Sequence, residues 1–514
     1  MEAAEDDTPL PVTGPLPPAG RAGLVALLMA FTAVAFSAFV VAQNYWCDDA
    51  FITFRHMRMA FEGHGFEYNV GARVEGYTNF LWGMVAYLGL HLGQQPIDFT
   101  QWVSLAAEFF TVLLVYRSGR RLGASPWQAL IAPGLLLGNV AFVTYPMTGM
   151  ETSFHTLLAA LSLELMLAWP RPALRQSVLL GLVWVALGMN RFDGFVLVGI
   201  FACWQLFGRR DIKCILPALG VFVLGLAAYN SWRYSYYGLA LPNTAYAKTS
   251  FSPMRALIGV RHIGEYAGQV ALMVLFACVP LATRGGLKGL GILAWIVLCQ
   301  GGYVVAVGGD WMPHHRFLLP VLPAFVLLAQ AGVLRVTAGR GGWRPAGVVA
   351  LLLVAFSLNA SALIQARDLK GVSGPHFDPH AAKLIGERLA DVIPEDKLVA
   401  IEWAGIVPYY TDHEVLDTFG LTDRLIVETE HLQRTMWGVI LNPDYLARRK
   451  PDAILFCARV FDSEFEARKA VRPGGDCHYG YYMRMINDRH KYALRVVELE
   501  PGVFFPLLLR QPPT

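Results

Sequence analysis

Charge is the first thing this sequence lacks. Only 16% of its 514 residues are charged and the net charge is +3, too sparse for a soluble domain of this length and without the basic excess a nucleic-acid binder needs. Cysteine is scarce too, at seven residues, and no Cys/His spacing matches a zinc site. There is no Gly-rich loop ending in Lys-Ser/Thr and no Gly-x-Ser-x-Gly turn, which excludes P-loop and esterase-type chemistry. No secure internal repeat is visible either. What is abundant is apolar surface, with 55% hydrophobic residues, and that composition belongs to a polytopic helical membrane protein.

The apolar runs give a topology. Residues 1–20 are rich in Pro, Glu, Asp and Ala and read as a disordered cytoplasmic tail. The run 22–42 is about 20 residues long and reads as an uncleaved first span. Further spans are expected near 102–116, 127–145, 152–169, 177–189, 194–207, 214–230, 269–282, 290–307, 317–334 and 348–364. That makes about eleven, with the N-terminus inside. The basic residues Arg117, Arg120 and Arg121, then Arg171 and Arg175, Arg209 and Arg210, Arg284 and Lys288, and Arg335, Arg340 and Arg344 then all fall in cytoplasmic loops. The stretch 51–62 is expected to form an amphipathic helix on the membrane surface, and 80–92, only about a dozen residues, a partly inserted one.

The same count gathers the unusual polar residues on the outer face. These are Asp48-Asp49, Gly149-Met150-Glu151-Thr152, Asn190-Arg191-Phe192-Asp193-Gly194, the stretch from Leu241 through Asn243 to Lys248, and Gly309-Asp310-Trp311 with His314-His315-Arg316. Ionisable groups at span ends tend to mark function, and several on one face point to one site. After residue 365 the composition turns to that of an α/β domain. A helix is expected near 381–389, buried strands at 397–401 and 451–456, a helix carrying Tyr445 and Leu446, and edge strands in 492–509. Cys457 and Cys477 both lie in this outer domain, where a disulfide between them is permitted.

Paired acids at an outer face, with scattered Arg, Lys and His, fit sugar transfer from a polyprenyl-phosphate carrier. The phosphate is already a good leaving group, so the reaction needs a base for the acceptor hydroxyl and donors for the departing phosphate. Asp48 or Asp49 is the candidate base. Arg55, Asn243, Lys248, Arg191, Arg316 and His315 are candidate donor or phosphate contacts. Glu75, Tyr77, Thr78, Asn79, Glu151, Asp193, Asp310 and Trp311 are placed at the acceptor or behind these groups. Paired carboxylates can hold Mg2+ or Mn2+; no obligatory metal is expected.

Four motifs, Asp48-Asp49-Ala50-Phe51-Ile52-Thr53, Val74-Glu75-Gly76-Tyr77-Thr78-Asn79, Leu241-Pro242-Asn243-Thr244 and Gly309-Asp310-Trp311-Met312, resemble those of the GT-C glycosyltransferases, in the branch of the mycobacterial arabinofuranosyltransferases B. The resemblance extends through Ala404-Gly405-Ile406-Val407-Pro408-Tyr409 and Asp417-Thr418-Phe419-Gly420-Leu421-Thr422-Asp423. It implies a GT-C membrane domain at 21–365 with an outer loop at 44–100, and a glycan-binding extracytoplasmic domain at 366–514. It also implies inverting transfer of arabinofuranose from a polyprenyl-phosphate donor to a cell-envelope polysaccharide, at a bacterial cytoplasmic membrane.

Each candidate has a plainer reading. Asp48-Asp49 can cap a helix, Glu75 can pair with Arg73 or Arg55, and Arg191 with Asp193 across a tight turn. Asp310, Trp311 and Arg316 can anchor a helix at the interface, and Glu402 and Asp423 can be structural. A mannose or other hexose donor is the alternative enzyme. A transporter or flippase would place its polar groups near the midplane of two related halves, and a non-catalytic glycan receptor would not need the acid pair.

Overall fold

Leu, Val, Ala and Phe runs punctuated by Gly and Pro yield many helices of moderate length. The computed structural model describes residues 45–208, 212–244, 253–283, 286–310, 312–338, 377–423, 432–435, 438–441, 448–472, 477 and 492–511, with a few residues between 23 and 35. In the first part lie helices α1 (Asp48–Phe61), α2 (Phe80–His91), α3 (Pro96–Arg121), α4 (Ile131–Leu137), α5 (Val140–Thr144), α6 (Thr152–Ala168), α7 (Leu174–Asn190), α8 (Gly194–Cys203) and α9 (Ile212–Tyr237). They are followed by α10 (Pro253–Gln269), α11 (Ala271–Ala282), α12 (Gly291–Val307) and α13 (Leu322–Thr337).

Among the described residues, three helical stretches are long and apolar enough to cross a membrane: Pro96–Arg121, Ile215–Tyr237 and Pro313–Thr337. Two bent pairs raise the number to at most five. One is Gln128–Leu137 with Val140–Thr148, bent by 65° where Asn139 caps α5 by accepting from the Phe142 N–H. The other is α10 with α11, bent by 98°. The expected spans at 152–169, 177–189, 194–207 and 290–307 coincide with shorter apolar helices. Those at 348–364 and most of 22–42 lie outside the described residues.

The bundle is apolar outside and partly polar inside. Leu179, Leu182, Val223, Leu224, Leu275 and Leu298 are exposed, while Ser104, Glu108, Thr111, Ser162 and Glu164 are buried. Glu164 on α6 accepts from Ser118 and Arg121 at the end of α3, each at 2.7 Å. Exposed apolar faces of this extent suit lipid.

The C-terminal part comprises α14 (Pro379–Val392), β1 (Val399–Ile401), α15 (Ile406–Tyr409), β2 (Val415–Asp417), β3 (Leu432–Thr435), β4 (Gly438–Leu441), β5 (Ala453–Leu455), α16 (Glu464–Ala470), β6 (Tyr492–Glu500) and β7 (Val503–Arg510). Five strands form one sheet in the order β2-β1-β5-β7-β6. β1 runs parallel to both β2 and β5, with Val399 opposite Val415 and Ala453. All three short strands are fully buried, as near-continuous apolar parallel strands should be. β6 and β7 close the edge as an antiparallel hairpin, and Cys457 is bonded to Cys477. The expected helix around Tyr445 lies outside the described residues.

One expectation is overturned. α1 does not lie on a surface with one wet face, because ten of its residues are buried, from Asp48 through Met59. Phe51, Phe54, Met57 and Tyr68 share a single apolar core with Ile385, Val399, Ile401, Ile406, Val407, Ile454 and Phe505. Each large side chain buried there contributes about 1.5–3 kcal/mol. Of the polar positions that make α1 look amphipathic, Asp48 and Arg55 are buried against backbone groups of the C-terminal part, and Thr53 and His56 against Asn79 and the Phe66 carbonyl.

Candidate active site

The two aspartates at the head of α1 are not equivalent. Asp48 is buried and its carboxylate accepts the Gly405 and Ile406 N–H groups at 2.9 and 2.8 Å, at the start of α15. Burial pushes this carboxyl up to about 7, against the pull of the Ile406 amide. Asp49 is half-buried, and among the described residues its carboxylate has neither a hydrogen bond nor an ion pair.

Behind this pair the polar clusters meet. The Cys47 N–H donates to the Thr148 carbonyl at 3.0 Å, which brings the start of α1 against the 149–152 turn. Gly149 makes that turn with φ +77, and a Cβ there would lie 2.7 Å from Ile97 and 3.3 Å from Ala50, so glycine alone fits. Glu151 accepts from Arg191 Nη1 at 2.9 Å and from Asn79 Nδ2 at 2.9 Å, and Asn79 in turn accepts from Thr53. Arg191 also grips Asp193 with Nε at 2.8 Å and Nη2 at 3.2 Å. Arg316 holds Asp310 in the same two-pronged way, at 2.8 and 3.2 Å. The Arg191 and Arg316 guanidiniums both stand against the Phe317 ring, at 5.3 and 5.2 Å from its centroid. Two cations within one neighbourhood, each already balanced by a carboxylate, retain further N–H donors.

His314 and His315 take left-handed φ values of 63 and 57, a conformation that costs non-glycine residues about 1–2 kcal/mol each. The turn carries His315 onto His262, with ring nitrogens 3.0 Å apart.

A second polar group adjoins through the 74–79 loop. Glu75 and Arg233 form a buried pair at 2.5 Å, the Asn243 N–H donates to the Glu75 carbonyl at 3.1 Å, and Tyr77 meets the Tyr237 hydroxyl at 3.1 Å. Asn243 Nδ2 donates to the Asp423 carbonyl at 2.7 Å. Among the described residues, the buried Asn243 Oδ1 and Thr244 Oγ1 have no hydrogen-bond partner. Thr78 is exposed. Lys248 and Trp311 lie outside the described residues.

Arg55 sits elsewhere. It is fully buried, and its guanidinium donates to the carbonyls of Tyr68, Pro408, Thr411 and His413 and to Asn69 Oδ1, which leaves it nothing for a phosphate. The partner of Glu75 is Arg233, not Arg73 or Arg55; Arg73 instead approaches Glu67 at 3.6 Å. Arg233 and His262 are the members sequence reasoning missed. A charge just beyond an apolar run, as Arg233 stands beyond 214–230, is the signal that marks such a residue.

A family model described as a domain of unknown function, DUF8728, matches residues 376–494. The chain is 26% identical over 381 residues to a terminal beta-(1->2)-arabinofuranosyltransferase of Corynebacterium glutamicum, covering 64% of this chain and 54% of the relative. It is 27% identical over 342 residues to the protein of the same name from Mycobacterium tuberculosis, covering 57% and 53%. The chain thus spans about half the length of the curated relatives it matches. Among solved structures it matches ArnT from Cupriavidus metallidurans bound to undecaprenyl phosphate, with a TM-score of 0.58, 12% identity, and coverage of 94% of this chain and 97% of that one. The fold is GT-C. The cryo-EM structure of the arabinofuranosyltransferase AftD from Mycobacteria agrees, with a TM-score of 0.54 at 14% identity, over 95% of this chain and 40% of that one. The resemblance carried by the motifs is borne out: the chain is similar to arabinofuranosyltransferases in sequence and to GT-C enzymes in fold.

Proposed function

We propose that this chain is an inverting glycosyltransferase that moves arabinofuranose from a polyprenyl-phosphate carrier to the end of a cell-envelope arabinan, with Asp49 as general base. The observation that carries the reading is the split of the acid pair. Asp48 is bound by two backbone amides, while Asp49 has no hydrogen bond or ion pair among the described residues, and the Cys47 thiol beside the pair feels the charges of both Asp49 and Arg316. Relatives named for β-(1→2) arabinofuranose transfer support the choice of sugar.

The chemistry is a single displacement. An acceptor hydroxyl oxygen attacks the anomeric carbon, its proton passes to Asp49, and the bond from that carbon to the phosphate oxygen breaks. The polyprenyl phosphate departs with the electron pair, its charge met by N–H donors of Arg191 and Arg316. Asn243 Oδ1 and Thr244 Oγ1, buried without partners among the described residues, offer hydrogen bonds to sugar hydroxyls. The Asp48 carboxylate faces the Gly405 and Ile406 amides, one to each oxygen, and no step is routed through a metal.

The proposed setting is the bacterial cytoplasmic membrane, with a tail at 1–20, about eleven spans in 21–365, and the site and the 366–514 domain on the extracytoplasmic side. Purified protein is tested with decaprenyl-phosphate-arabinofuranose and an arabinan oligosaccharide, with and without EDTA. Transfer that is abolished in Asp49→Asn and indifferent to EDTA is the expected result. Transfer only from a polyprenyl-phosphate-mannose donor, or full activity in Asp49→Asn, refutes the reading.

A further inference from the structure

The contacts between α1 and the 404–415 segment are dense and polar. Asp48 takes the two amides at the head of α15, and Arg55 takes the carbonyls at its far end and beyond, at Pro408, Thr411 and His413. Arg58 Nη1 donates to the Tyr409 carbonyl at 2.7 Å. From the loop after α1, the Tyr68 hydroxyl donates to the Ala404 carbonyl at 2.6 Å, and the Asn69 side chain bonds both the N–H and the carbonyl of Val415. At the closest point Gly405 lies so near Asp48 that a Cβ would stand 1.8 Å from the Asp48 carbonyl oxygen and 2.8 Å from its carboxyl carbon. Backbone groups at both ends of α15 are thus satisfied by side chains of α1, and the apolar faces of the two helices belong to one core.

We propose that the 404–415 segment is a positioning device for catalysis: it grips α1 through Asp48 and Arg55 and so fixes where the adjacent Asp49 carboxylate stands. This rests on Asp49 being the base. A domain at 366–514 that only captured glycan would need no such grip on the reacting loop. A base displaced by about 1 Å loses on the order of 100-fold in rate, so rigidity here is expressed in turnover rather than in binding. Asp48 and Gly405 are positioning residues; neither is asked to touch substrate.

The test uses the full-length protein with the decaprenyl-phosphate-arabinofuranose donor and an arabinan acceptor, comparing Asp48→Asn, Gly405→Ala and Tyr68→Phe. The expected result is a fall in kcat per folded molecule of tenfold or more in the first two, on the order of a lost positioning contact, with KM for both substrates within about twofold. Hydrogen exchange, which needs no substrate, should show faster exchange of the α1 amides in all three. Arg388→Ala, which removes an exposed pair with Glu500 in the same domain, should leave kcat unchanged. Unaltered kcat and unaltered α1 exchange in Asp48→Asn and Gly405→Ala overturn the inference, as does a rise in acceptor KM at constant kcat, which would make the domain an acceptor-binding module. Should Gly405→Ala not fold, Tyr68→Phe reads the same contact by deleting one hydroxyl. Asp49→Asn run alongside separates the two proposals. Activity retained there refutes the base, whereas activity lost there but intact in Asp48→Asn and Gly405→Ala refutes only the positioning.

Discussion

At the scale of single residues, buried charge is the strongest constraint in this molecule. Glu75 and Arg233 are both nearly inaccessible and face each other at 2.5 Å, so removing one strands the other. Arg233→Ala is expected to cost about 3–5 kcal/mol, and the double variant Arg233→Met with Glu75→Gln less than that, as read by chemical denaturation in detergent. Asp48 and Asp417 are raised by burial to about 7 and about 6 from the ordinary 3.8. A carboxyl whose folded value lies above its unfolded value adds stability that is present below the unfolded value and lost as pH rises through the folded one. The melting temperature should therefore fall as pH rises from about 4 to 7 through these groups, and Asp48→Asn should flatten that slope. A slope unchanged in Asp48→Asn would mean that this carboxyl titrates as it does in the unfolded chain.

Elements are held by what lies at their ends. α1 would be a marginal fourteen-residue helix in isolation, and here it is fixed by Arg55 reaching across to α15. Arg55→Ala leaves several buried carbonyls without donors, each lost bond costing about 1–3 kcal/mol. Expected are a lowered melting temperature and faster hydrogen exchange in both α1 and α15, whereas Arg58→Ala, partly exposed and bonded to a single carbonyl of α15, should do less. The Cys457–Cys477 bond closes a loop with a sequence separation of 20. Its removal in Cys457→Ser with Cys477→Ser is expected to cost about 2–4 kcal/mol, measurable as a shift in denaturation midpoint against the wild type.

For the molecule as a whole, the consequence of the shared core is that the C-terminal part is not expected to fold by itself. Its sheet and helices complete their core with Phe51, Phe54, Met57 and Tyr68 from the N-terminal part. Expressed by itself, this part should aggregate or bind a hydrophobic dye strongly; a monomeric fragment with well-dispersed amide resonances would contradict the shared core. The exposed pairs on its surface, such as Arg388 with Glu500, are screened by solvent and would not compensate.

Hydrophobic periodicity and composition were enough to read a polytopic helical protein, the buried strands at 397–401 and 451–456, the edge strands in 492–509, and the polar motifs, since these are properties of neighbouring residues. The grouping of Glu151, Arg191, Asp193, Asp310 and Arg316 was legible as a likeness among loops, although their pairing was not, apart from Arg191 with Asp193. What tertiary structure alone decided is which charges meet. Asp48 looks identical to Asp49 in sequence, but its partners are 357 and 358 residues away; Glu75 finds Arg233 across 158. The physical reason is range: local patterning determines which face of a helix is apolar, whereas a buried charge must be neutralised by whatever group the folded chain delivers to it.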